Sequence, residues 1–132
     1  MRTATRSLLS LAALVLAAGG GTHLLAFPGA ARAVGGSNLP AFFAATFRAL
    51  WLGDSATLFA QALAFGALAA RPGLAARPLI LVLALGPLAN AVAIYITMGG
   101  FFAGHLLLLA GATALLAGAL HRREECAVSG RE

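Results

Sequence analysis

Residues 40–71 read PAFFAATFRALWLGDSATLFAQALAFGALAAR, and this stretch decides the fold. It is apolar for most of its length, yet it holds Arg48, Trp51, Asp54, Ser55, Thr57 and Gln61. Asp54 is the only acid before Glu124. A helix needs about 20 apolar residues to cross about 30 Å of hydrocarbon, so the run is long enough to span a membrane. Inside such a span an ionisable side chain is expensive and usually has a partner or a task.

Outward from this run the same pattern repeats. Residues 28–39 contain Pro28, Gly29, Gly35, Gly36, Ser37 and Asn38 and predict a loop. Before them, residues 7–27 form a second apolar run behind a basic start with Arg2 and Arg6. Ala31-Arg32-Ala33 has the small-x-small form of a signal-peptide cleavage site. The apolar core at 8–18 stands well before that site, so an uncleaved first helix is the reading taken. On the other side, Leu68-Ala-Ala-Arg71-Pro72 is followed by Leu74-Ala-Ala-Arg77-Pro78. This small duplication reads as a short turn in which one proline stops a helix and the next begins another. Residues 78–98 carry Gly86-Pro87, where a kink is expected because Pro87 has no N–H to donate. Gly99-Gly100 makes a tight turn into a last run, 101–120, that ends at His121-Arg122-Arg123.

The expected architecture is therefore all-α, a bundle of four transmembrane helices near 7–27, 41–70, 78–98 and 101–120. The transmembrane domain occupies residues 1–123, with a polar cytoplasmic tail at 124–132. Composition agrees: 61% of the residues are hydrophobic and only 10% are charged, against about 25% charged in soluble domains. The net charge of +5 reflects nine arginines against four acids. They cluster at the ends of apolar runs rather than along one face, which argues against nucleic acid. With the N-terminus inside, Arg2, Arg6, Arg71, Arg77, Arg122, Arg123 and Arg131 lie on the inner side and Arg32 on the outer. That asymmetry predicts that both termini are cytoplasmic. The single cysteine, Cys126, cannot form an internal disulfide.

Depth sorts the polar residues. Counting about 20 residues outward from Arg71 puts the outer boundary near Trp51. Arg48 then falls in the headgroups and Trp51 in the aromatic belt. His23, Asp54, Tyr95 and His105 all fall in one layer of the outer leaflet and are expected to form a small polar pocket. Deeper residues read as contacts between helices: Ser55, Thr57 and Gln61, with Asn90 bonding across to them. Gly104, Gly111 and Gly118 recur every seven residues on one face, a surface for close helix approach.

Several roles fit the pocket. Asp54 could pair with a histidine, Tyr95 or Arg48 and fix helix register. Asp54 and a histidine could relay protons in a transporter of a small substrate. His23 and His105 could ligate a b-type haem. The sequence holds no nucleophile–base motif, metal cluster, phosphate loop or cysteine pair. The reading taken is a non-enzymatic membrane protein, with no cofactor or metal. It would act as a self-associating unit or as a subunit of a larger membrane complex, because the glycine stripe and Gly19-Gly20-Gly21 offer packing surface for a partner. The basic start, Phe47-Arg48-Ala49-Leu50-Trp51-Leu52 and the Arg-Pro turn resemble the small bacterial four-helix membrane proteins of unknown function. That resemblance implies a bacterial inner (cytoplasmic) membrane location.

Overall fold

A computed structural model describes residues 3–129, with side chains as far as His121. The chain forms four helices: α1 (Thr3–Gly35), α2 (Ala41–Ala70), α3 (Arg77–Met98) and α4 (Phe102–Ser129). A single 3₁₀ turn, Pro72–Leu74, joins α2 to α3. All four helices are long and apolar enough to cross a membrane, so the fold is that of a multi-pass, all-helical membrane protein. Their outward faces carry Leu14, Leu25, Leu63, Val82 and Ile96, all more than half exposed. Side chains of this kind suit lipid and would be a liability in water.

The helix ends differ from the expected ones in two places. α1 runs through Pro28 to Gly35 instead of stopping near residue 27. Pro28 removes one backbone donor, but the three alanines and Arg32 after it favour helix, and α1 continues beside α2. It ends at the glycine–serine pair, where Gly36 N donates to Arg32 O (3.0 Å) and Ser37 Oγ to Val34 O (2.7 Å). α4 continues past residue 120 into the stretch expected to be a tail. The side chains of that tail, with Arg122, Arg123, Cys126 and residues 130–132, lie outside the described residues, as does Arg2.

Close backbone packing joins α1 to α2, α1 to α4 and α3 to α4. The α2–α3 side lacks it. Successive helices are antiparallel, so the start of α1 and the end of α4 lie at one end of the bundle, here the terminal end. The opposite, distal end holds the α1–α2 loop and the α3–α4 turn. That turn needs Gly99, whose φ of 67° and ψ of −145° lie in a region that side chains disfavour.

The core fills the terminal half. Leu9, Ala12 and Leu16 of α1 meet Ala62, Phe65 and Leu68 of α2, Ile80 and Ala84 of α3, and Ala110, Ala114 and Ala117 of α4. The glycine stripe of α4 packs within the chain. A Cβ at Gly104 would stand 3.0 Å from Tyr95, one at Gly111 2.5 Å from Leu88, and one at Gly118 2.8 Å from Leu81. The partners on α3 also recur every seven residues, so the two antiparallel helices share one register. The stripe therefore has its partner in α3. Of Gly19-Gly20-Gly21, only Gly20 meets a neighbour, Leu58 and Phe59 of α2 at 3.3 Å.

Candidate functional site

At the distal end the four helices diverge around a cavity of about 410 Å³. α1 contributes Val15, Leu16, Gly19, Thr22, His23 and Ala26, and α2 contributes Trp51, Asp54 and Leu58. α3 supplies Ile94 and Met98, while Phe102, Ala103, Leu106 and Leu107 come from α4, with Phe101 just before it. The wall is apolar except at one place, where Thr22, His23, Trp51 and Asp54 meet. Beneath it, toward the terminal end, lies the packed layer around Ala62, Phe65, Ala84 and Ala110.

The polar place is built by facing turns of α1 and α2. On α2, Trp51, Asp54, Ser55 and Leu58 share one face at i, i+3, i+4 and i+7. The Trp51 ring stacks on His23, with centroids 4.2 Å apart and planes 12° from parallel. Its Nε1–H donates to His23 O at 2.8 Å. Indole and imidazole are thus locked together by contacts at two points. His23 Nδ1 lies 2.9 Å from Ser55 Oγ, and Ser55 Oγ donates to Trp51 O at 3.0 Å. A hydroxyl has one proton to give. Both bonds form together only if His23 Nδ1–H is the donor to Ser55. That fixes the tautomer and leaves Nε2 toward Asp54 Oδ2, 3.7 Å away. His23 and Asp54 keep 29% and 44% of their side-chain surface exposed, so both are accessible from the cavity.

Serine, histidine and aspartate occur together here, but not as a nucleophilic set. Ser55 is 2% exposed, does not line the cavity, and gives its proton to the backbone of its own helix. No substrate carbonyl reaches its oxygen, and the exposed ring nitrogen faces the carboxylate instead.

The layer expected to be one four-residue pocket is two separate pairs. His23 and Asp54 stand between α1 and α2. Tyr95 and His105 stand between α3 and α4, with Tyr95 Oη 2.6 Å from His105 Nδ1, and neither lines the cavity. His23 and His105 are consequently not brought to a common centre for haem. Among the described residues no group of three or more His, Cys, Asp or Glu side chains could hold a metal ion. Asp54 takes His23 as its partner. Arg48 is exposed and directed at Gly35, where a Cβ would come within 3.3 Å of its Nη2.

The deeper polar residues also part company. Ser55 belongs to the His23 cluster. Thr57 bonds its own helix at Gly53 O (2.9 Å) and is exposed. Gln61 crosses the α2–α3 side and lies against Gly86, where any Cβ would overlap its amide. Gln61 Oε1 is buried without a hydrogen-bond partner, so the bond expected from half-buried Asn90 does not reach it.

Trp51 is the residue whose partner depth counting did not give. Its position near the boundary suited an aromatic belt, yet its ring covers His23 and lines the cavity. The signal was present in its i, i+3, i+4 spacing with Asp54 and Ser55. Phe101 and Phe102 went unmarked because nothing in the sequence shows that they face α2 across the bundle. Compared with family models, curated proteins and solved structures, the chain matches none.

Proposed function

We propose that this protein is a non-enzymatic, multi-pass protein of the bacterial cytoplasmic membrane that binds a small amphiphilic molecule in its distal cavity. The observation that carries this reading is the cavity itself, about 410 Å³ of apolar wall with a single polar place at His23 and Asp54. Small-molecule sites are usually apolar clefts of roughly 300–1,000 Å³ with a few convergent polar groups that orient the ligand. The α2–α3 side, free of close backbone packing, offers a way in from the lipid. The packed layer beneath the cavity supports binding rather than passage, so proton-coupled transport through Asp54 ranks second. The arginine asymmetry supports cytoplasmic termini.

The test uses Trp51, the chain's only tryptophan, as a reporter in the cavity wall. Protein in lipid nanodiscs is titrated with a series of alkyl amphiphiles, and native mass spectrometry identifies molecules that co-purify. Saturable changes in Trp51 emission are expected. A Cβ at Gly19 meets open space, and Gly19 lines the cavity. Gly19→Leu should therefore fill the site without disturbing the helices and remove the response. An unchanged response in Gly19→Leu would refute the assignment.

The subunit reading rests on a different observation. α1 and α2 run on past the α3–α4 turn, and this extension exposes Phe42, Phe43 and Leu50 (73%, 58% and 68%). Such a surface suits a second copy or another membrane protein. Pull-down in mild detergent should recover a partner that Phe42→Ser with Phe43→Ser releases. An unchanged complex in the double variant, or a monodisperse protein with no partner, would exclude it.

A further inference from the structure

We infer that the cavity selects primary ammonium amphiphiles, whose head His23 and Asp54 hold together. This rests on the amphiphile-binding reading above and deepens it. Ser55 fixes His23 with Nδ1 protonated, so Nε2 presents a lone pair toward the carboxylate. Two acceptors facing each other across 3.7 Å repel unless a donor stands between them.

Among the described residues no other charged group meets the pair. α1 gives His23 alone, and α2 gives Asp54. α3 and α4 contribute no ionisable side chain to the cavity wall. Arg48 lies six residues away on α2 and points at Gly35.

A primary ammonium matches what the pair lacks. Its N–H groups can donate to Nε2 and Oδ2 together, and a positive head is favoured beside Asp54 in a low-dielectric setting. The alkyl chain lies against Leu16, Leu58 and Leu107. A quaternary ammonium carries the same charge but has no N–H to donate. An alcohol of the same length has a donor but no charge.

The experiment compares n-decylammonium, n-decyltrimethylammonium and n-decanol on the intact protein in nanodiscs, with empty nanodiscs as background. Trp51 emission reads binding. Decylammonium should bind at least roughly tenfold more tightly than the other two, the effect of one charge-assisted bond. Asp54→Asn should lose the preference. Equal affinity for all three probes, or a preference that Asp54→Asn keeps, would overturn the ammonium assignment while leaving the amphiphile reading intact. Failure of every probe to bind would remove the amphiphile reading itself.

Discussion

Gly111 of α4 lies so close to Leu88 of α3 that a β-carbon there would come within 2.5 Å of the leucine Cγ. Leucine can yield only by changing rotamer in a packed seam. Gly111→Ala should therefore destabilise the bundle by about 1–3 kcal/mol, the usual range for overpacking. Gly21→Ala, where a β-carbon meets open space, should be neutral or stabilising by up to about 1 kcal/mol through helix propensity. Thermal unfolding in detergent separates the two. Adding Leu88→Ala to Gly111→Ala should recover part of the loss, and equal effects of the two single variants would contradict the packing described.

The Trp51 clamp makes a second prediction. Trp51→Phe keeps a ring over His23 but loses the bond to His23 O, a loss of about 1 kcal/mol. Trp51→Leu loses the stacking as well and should cost more. Histidine NMR can follow this directly, because the imidazole resonances of His23 should broaden or split once the ring is free. A Trp51→Leu protein whose His23 spectrum and stability match the parent would show that the clamp holds nothing.

Gly99 makes a third. Its backbone lies where an alanine would be strained by about 1–3 kcal/mol. Gly99→Ala should lower the unfolding temperature, whereas Gly100→Ala, with no positive φ and nothing near its Cβ position, should be tolerated. Both can be read from one thermal series.

A fourth concerns orientation. Reporter fusions after Arg32 and after Pro72 should report opposite sides, with the Pro72 fusion cytoplasmic. An extracytoplasmic signal at Pro72 would reverse the assignment drawn from the arginines.

These tests fall on features that the sequence revealed unevenly. The four spans were legible because each is an apolar run near membrane length, and little else folds that way. The glycine period was legible as a packing face, but a period does not name its partner. Leu81, Leu88 and Tyr95 match it at the same spacing, yet similar residues elsewhere made that match inconspicuous. Depth along a helix follows from counting, whereas azimuth does not. His23, Asp54, Tyr95 and His105 were accordingly assigned to one layer, but which helices would face each other was not visible. Pro28 was misread because a local breaker signal was set against nothing but local propensity, while α1 also packs beside α2.

The missing α2–α3 packing has a mechanical side. α1 with α2 and α3 with α4 form two stiff hairpins, and the α1–α4 contact is the spine between them. Swinging one hairpin against the other about that spine leaves both hairpin interfaces whole. It separates Gln61 from Gly86, and at the terminal end it parts Ala62, Phe65 and Leu68 of α2 from Ile80 and Ala84 of α3. A book-like opening of the bundle would follow that edge, where close backbone packing is missing. His23 and Asp54 lie within one leaf, so their mutual geometry survives the swing. The opposite wall of Ile94, Met98 and Phe102 belongs to the other leaf and travels away from them.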